Sequence, residues 1–282
     1  MQRRCRPRQR DAADGSTQRL LRRCRGRPVR RIMGVMTGAL HVFLDGPLDG
    51  ATNMARDEAL LYSDEHQPAA LRVYGWTPAT ISLGCFQRYD DVAALPVEVR
   101  GLPVVRRITG GGAILHDREI TYCLTLDDSL DIARAAPAEL YRLVHRVWCD
   151  VLATDGNACE LAPEDWPMPS PRSGPFFCFQ KPGRTDVLLG GAKLIGSAQR
   201  RLPGRVLQHG SVILGRRFAA HPGASLGDPP PERVGEWIGA FADRVAAALG
   251  LERCAGVWSP ALIDDVARRR VRFASDTWTR RR

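Results

Sequence analysis

The sequence predicts an α+β fold, with a mixed, largely antiparallel sheet and helices packed on it. Two observations carry that expectation. Short strand-like runs outnumber helical ones along residues 36–282, and several are separated only by turn residues, as in hairpins. The helical stretches are few, and each shows an apolar stripe that needs another element to cover it.

In chain order, ALHVFL (39–44) reads as the opening strand. Residues 51–65 follow as an amphipathic helix with Ala51, Met54, Ala55, Ala59 and Tyr62 on one face. LRVYGW (71–76) and TISLG (80–84) read as a hairpin broken at Thr77-Pro78, and VVRR (104–107) leads into the loop ITGGGAILHD. ITYCLTL (120–126) alternates as a half-buried strand does, with Ile120, Tyr122, Leu124 and Leu126 on one side. Pro137 opens a helix whose face is Leu140, Leu143, Val144, Val147 and Val151. Prolines 163, 167, 169 and 171 make residues 156–175 an expected irregular surface loop. Short strands are expected at 176–180, 185–189, 192–198 and 205–214. A helix from about 231 carries Val234, Trp237, Ile238, Phe241 and Val245 and ends at Gly250. A last short helix (260–270) runs into a basic tail, and no internal repeat is evident.

Charge divides the chain. Of its 41 basic and 31 acidic residues, 12 arginines and two aspartates fall in 1–35, which leaves 29 of each sign for 36–282. The folded part is therefore neutral overall, and bulk charge gives it no reason to bind nucleic acid. The arginine-rich stretch has few apolar residues and no periodicity, so it is expected to be disordered. A nucleic-acid tail, a targeting peptide or translated upstream sequence would each account for it. The last is preferred, with the start at Met33 or Met36, because foldable sequence begins near Leu40. The expected organisation is thus an extension (1–35), a core domain (36–255) and a C-terminal helix with a basic tail (256–282).

No apolar run is long enough to span a bilayer. The eight cysteines show neither CxxC nor Cys/His metal-ligand spacing, so neither a metal site nor a disulfide scaffold is expected. Free thiols without an export signal point to a reducing, cytoplasmic setting.

Only two of the 41 basic residues are lysines, Lys181 and Lys193, and both lie in FFCFQKPGRTDVLLGGAKLIGSAQRR (176–201). In so arginine-rich a background, a lysine suggests a compact charge aimed at one atom. Cys178 lies 15 residues before Lys193, with turn signals at Pro182-Gly183 and Gly190-Gly191 between them. If the two segments lie side by side, the ammonium favours the thiolate, and Cys178 becomes a candidate nucleophile. The plainer alternative is a packed cysteine and a surface lysine on a hairpin. RRITGGGAILHD (106–117) offers a second candidate. Gly110, Gly111 and Gly112 let backbone N–H groups approach a ligand, with Arg106 and Arg107 before them and His116 after. A tight turn and a hydrogen-bonded structural histidine are the alternatives there. Small residues Gly196, Ser197 and Ala198 leave room for a linear ligand against their strand. Neither a P-loop nor a dinucleotide fingerprint is present.

ATNMARDEALL, LRVYGWTPATISLGCFQ, RRITGGGAILHD, DVLLGGAKLIGSAQRR and LQHGSVIL stand in the order seen in the biotin/lipoate protein ligase superfamily, which the chain resembles over roughly residues 40–250. The resemblance implies a class II synthetase-like catalytic domain. It implies that the RRITGGGA loop forms part of an acyl pocket and that Lys193 contacts the acyl carbonyl. Within the superfamily, FFCF and HDREITY look closest to the cysteine-dependent octanoyltransferases. Those take octanoate from octanoyl-acyl-carrier protein through a cysteine thioester and pass it to a lysine of a lipoyl domain. The glycine cleavage H protein and dehydrogenase E2 subunits are the acceptor types. The implied roles are catalytic for Cys178 and Lys193, and substrate-binding for Arg107, Gly110, Gly111, Gly112, His116, Gly196, Ser197 and Ala198. No cofactor, metal or membrane partner is implied, and a monomer is expected. ATP-dependent lipoate ligation, acyl transfer between carrier proteins and a catalytically silent carrier-binding role are the competing readings. The third glycine of the loop also suits the ligase pattern.

Overall fold

A computed structural model of the chain describes residues 38–166 and 174–282. The stretch 1–35 expected to be disordered, the candidate starts Met33 and Met36, and prolines 167, 169 and 171 of the expected loop lie outside the described residues.

The elements are β1 (Ala39–Leu48), α1 (Gly50–Tyr62), β2 (Ala69–Trp76), β3 (Thr80–Leu83), α2 (Val97–Arg100), β4 (Val104–Arg106), β5 (Ile114–His116), β6 (Glu119–Asp127), α3 (Asp131–Arg134), α4 (Pro137–Leu152), β7 (Cys159–Leu161), β8 (Val187–Leu189), β9 (Ala192–Leu202), β10 (Arg205–Ile213), α5 (Pro231–Leu249), β11 (Glu252–Ala255), α6 (Pro260–Phe273) and α7 (Asp276–Thr279). Local signals account for the helix ends. The Asp49 carboxylate accepts the Thr52 N–H (3.0 Å) at the start of α1, Pro137 and Pro231 occupy first-turn positions of α4 and α5, and Gly250 closes α5 at φ 68°.

Eight strands form one sheet in the order β11-β1-β2-β6-β10-β9-β8-β7. β1 is parallel to β2 and β11, and the other neighbours are antiparallel. A small sheet, β4-β3-β5, stands apart from it, with β3 parallel to β4 and antiparallel to β5. The expected mixed, largely antiparallel architecture is therefore present. Helices cover both faces of the large sheet. On one face, Leu140, Val144, Trp148 and Val151 of α4 and Phe241 and Val245 of α5 meet Leu71, Tyr122 and Leu124. On the other, Met54 and Ala59 of α1 and Leu262 and Phe273 of α6 meet Ala70, Cys123 and Leu207.

Several local expectations are corrected. β6 is buried on both faces, because Cys123 fits under α1 and Thr121 is bonded to Trp76 and Glu119 where the alternation suggested solvent. Residues 71–84 do not form a hairpin. β2 joins the large sheet and β3 the small one, so the Thr77-Pro78 turn carries the chain between layers. Residues 176–180 are no strand but an isolated bridge at Phe177 and one 3-10 turn, Cys178–Gln180. The 156–175 segment contains β7. The final helix runs to Phe273, and the expected basic tail includes α7.

The predicted face of α1 also needs correction. Tyr62 is half exposed, whereas Asn53 and Asp57 are buried. The fully buried Arg72 explains this, for its guanidinium donates to the Asp57 carboxylate (2.7 Å), the Asn53 side chain (2.7 Å) and Asp45 (2.5 Å). Removing one partner of such a set costs about 3–5 kcal/mol.

Candidate active site

Lys193 and Cys178 meet. Lys193 Nζ lies 3.1 Å from Cys178 Sγ and 2.8 Å from the Asp186 carboxylate, and the lysine is buried. A register shift between β8 and β9 pairs Leu188 with Lys193 but Val187 with Ile195. The extra residue, Leu194, forms a bulge of the kind that re-aims a neighbouring side chain. Burial opposes the charge on Lys193, yet Cys178 and Asp186 together hold its pKa above the usual lysine value. Asp186 was not anticipated, although it is the only acidic residue between 176 and 201. That was the available signal.

Cys178 is only partly buried and is held from its backbone. Its N–H donates to Ala113 O (2.8 Å), and the Ala113 N–H donates to Phe176 O (2.8 Å). This clamp depends on Gly112, since a β-carbon there would stand 3.0 Å from Cys178 N and 3.1 Å from Phe176 O. The amide of Cys178 is thereby occupied and does not serve as an oxyanion donor.

Arg107 organises the glycine loop. Its buried guanidinium donates to the carbonyls of Gly110 and Gly112 (2.7 Å each) and Ser82 (2.9 Å), and its Nε to Thr109 Oγ1 (3.0 Å). No carboxylate touches it among the described residues, and burial pushes its pKa down. Two hydrogen-bonded relays lead away from it instead. Thr109 Oγ1 lies 2.7 Å from His209 Nε2, whose Nδ1 faces the Asp57 carboxylate at 3.1 Å. Ser82 Oγ lies 2.7 Å from His116 Nε2, whose Nδ1 faces the Glu119 carboxylate at 2.8 Å. In both, Nδ1–H donates to the carboxylate, and in the His116 relay the neutral ring leaves Nε2 to accept the Ser82 hydroxyl proton. Burial lowers the pKa of His116 despite Glu119, which suits the neutral ring, and that ring stacks on Trp76 at 3.7 Å. His209, Thr109 and Asp57 were missed because a relay through β10, the glycine loop and α1 has no sequence spacing of its own.

Arg107, His116 and Ala198 line a narrow cavity with Met54, Trp76 and Ile114. Its accessible interior is about 20 Å³, little more than room for one water molecule. The cavity lining does not include Cys178, Lys193, Gly110, Gly111, Gly112, Gly196 or Ser197. Gly112 joins the two parts, touching Cys178 on one side and accepting from Arg107 on the other. Gly111, at φ 90°, turns the loop, and its carbonyl passes so close to Gly84 that a β-carbon there would meet it at 2.0 Å. Gly196 leaves room for the Lys193 side chain. Ser197 Oγ is bound by Tyr122 OH (2.5 Å) and His145 Nε2 (2.6 Å), which occupy the hydroxyl. His145, on α4, was not anticipated. Cysteine, lysine and carboxylate beside a clamped glycine loop can form a thioester and stabilise the negative charge that develops.

The chain belongs to the lipoyl protein ligase A/B catalytic domain family, whose profile matches residues 49–228. Among curated proteins it is similar to Octanoyltransferase LipM of Kyrpidia tusciae, 39% identical over 176 residues, and to that of Moorella thermoacetica, 40% identical over 180. The matches cover 60% of this chain and 64% and 63% of those relatives, so the chain spans less than two thirds of their length. The fold is similar to a lipoate-protein ligase A solved with bound ATP, with a TM-score of 0.67 at 18% identity over 86% of this chain and 98% of that one. It is also similar to the bi-partite lipoate protein ligase of Thermoplasma acidophilum, with a TM-score of 0.64 at 16% identity over 86% and 97%.

Proposed function

We propose that the chain is an octanoyltransferase of lipoate biosynthesis that works through a thioester on Cys178. The observation that carries this reading is the 3.1 Å approach of the Lys193 ammonium to the Cys178 sulfur. The Cys178 thiolate attacks the thioester carbonyl of octanoyl-acyl-carrier protein. The bond to the carrier's sulfur breaks, and that sulfur leaves as a thiol after taking a proton. A lysine amine of a lipoyl domain then attacks the octanoyl-enzyme, forming the amide, losing a proton and returning the thiolate to Cys178. Lys193 stabilises the negative charge on sulfur and on the carbonyl oxygen as each develops, the kind of contribution worth about 3–4 kcal/mol. Asp186 holds the ammonium in place. The alkyl chain enters beside Arg107 and Trp76 as that narrow space widens around it, and each methylene buried there contributes about 0.8 kcal/mol. The thioester arrives activated, so this reading includes neither ATP nor a metal. The chain acts as a monomer in the cytoplasm.

Intact-mass spectrometry after incubation with octanoyl-acyl-carrier protein tests the reading. A hydroxylamine-sensitive octanoyl adduct, absent from Cys178→Ala, is the expected result. Modification of apo lipoyl domain from free lipoate and ATP, with no acyl-carrier thioester present, would overturn it.

A further inference from the structure

The loop 84–87 lies between the site and the segment 279–282. On one side, Gln87 Nε2 donates to Phe176 O (3.0 Å) and Phe86 approaches Gly110. On the other, Arg106 donates to Gly84 O (3.0 Å), Gln87 O (2.6 Å) and Thr279 O (2.9 Å), and the Tyr89 N–H donates to Arg282 O (2.8 Å). Arg281 reaches Cys85 O (3.5 Å) and stacks on Trp278, while Arg282 lies over the Phe86 ring at 5.4 Å. Phe86 is 70% exposed, and Arg281 and Arg282 are exposed. Arg106 Nη2 also reaches Arg282 O (3.5 Å), and none of Arg106, Arg281 and Arg282 pairs with an Asp or Glu side chain among the described residues, although most arginines here do. Burial lowers the pKa of Arg106 and Arg281, and like-charged neighbours in the cluster add to it. In a segment with equal numbers of acids and bases over 36–282, this is a local excess of positive charge with an aromatic ring in it.

We propose that Phe86, Arg281 and Arg282 form the docking surface for the acidic face of the protein that delivers the acyl thioester. The inference rests on the function proposed above and adds the place where the donor lands. Unpaired guanidiniums recruit carboxylates and speed association, and an exposed ring among them anchors the contact. The acceptor brings a cationic lysine, which the same cluster repels, so the charge favours the donor. The loop 84–87 touches both the surface and the glycine loop, and thus sets a docked carrier beside Cys178.

Full-length Arg281→Glu/Arg282→Glu and Phe86→Ala are compared with the parent chain for the rate of Cys178 acylation. The donors are octanoyl-acyl-carrier protein, octanoyl-coenzyme A and octanoyl-N-acetylcysteamine. The charge reversal is expected to slow acylation by the carrier by about tenfold or more at low salt and to flatten its salt dependence. Phe86→Ala is expected to slow it about threefold or more, and the N-acetylcysteamine thioester should react as before, which also reports an intact fold. Equal losses with all donors, or no loss with the carrier, overturn the proposal. A loss with coenzyme A as large as with the carrier overturns it in favour of recognition of a phosphate on the arm. Slowed transfer to the lipoyl domain with unchanged acylation overturns it in favour of the acceptor. If the parent chain forms no adduct with any donor, the proposed function fails first.

Discussion

The ammonium of Lys193 lies across the α-carbon of Gly196. A β-carbon at 196 would stand 2.6 Å from Nζ and 2.3 Å from Cε. Those atoms are the far end of a flexible chain, so the lysine would move and the backbone would not. Gly196→Ala is therefore expected to unfold within about 4 °C of the parent, the shift of roughly 1 kcal/mol in a chain of this size. Its acylation rate should fall by about 10²-fold or more, as when one charge-stabilising group leaves a site. A large loss of stability with acylation retained would show that Lys193 is not the group displaced.

Asp186→Asn tests what holds the amine. Lys193 titrates above its usual range because Cys178 and Asp186, set against the cost of burial, favour the ammonium. A group raised in the folded state adds stability that is complete below its unfolded pKa and lost as pH rises through the folded one. Asp186→Asn lowers the folded value. The alkaline fall in both stability and acylation rate should then move to lower pH, and an unmoved alkaline limb would sink the assignment.

At acid pH the histidines decide. Burial lowers the pKa of His116 and His145, so both are held neutral in the fold. Groups depressed on folding contribute stability above the unfolded value, about 6.5 for histidine. That stability is lost as pH falls below it, at up to about 1.4 kcal/mol per pH unit for each ring. Urea titrations between pH 8 and 5 are expected to show this slope, and His116→Gln should reduce it. An unchanged slope in that variant would place the titration elsewhere.

Arg107→Lys keeps the charge and removes the planar fork. One ammonium cannot meet the carbonyls of Gly110, Gly112 and Ser82 together with the Thr109 hydroxyl. The variant is expected to lose about 2–4 kcal/mol, from buried acceptors left without donors. Amide exchange at Ala113 and Cys178 should quicken in step, because the bonds their N–H groups make, to Phe176 O and Ala113 O, hang on the same loop. Parent-like exchange at both positions would contradict this role.

The sequence made some of this site legible. An arginine-rich background marked Lys193, and turn residues on either side of 182–191 suggested that Cys178 folds back toward it. The amphipathic stripes of α4 and α5 were equally plain, being periodic and opposed to a sheet. What escaped notice was set by tertiary placement. Cys123 looks like part of a solvent face until α1 covers it, and the buried side of α1 includes Asp57 and Asn53 because Arg72 needs them. The relays from Arg107 to Asp57 and Glu119 join four or more segments, and local spacing cannot encode them. The strand expected at 176–180 failed because, among the described residues, the only backbone pairing of Phe176 and Cys178 outside their own turn is with Ala113.

The cavity walls have separate owners: Ile114 and His116 belong to the small sheet, Trp76 and Ala198 to the large one. Its width works as a caliper whose jaws are mounted on different layers. Under the function proposed above, the acyl length admitted is set by how the two layers seat against each other. A single bulkier or smaller wall residue should therefore blur the length preference, and only a change in the seating should reset it.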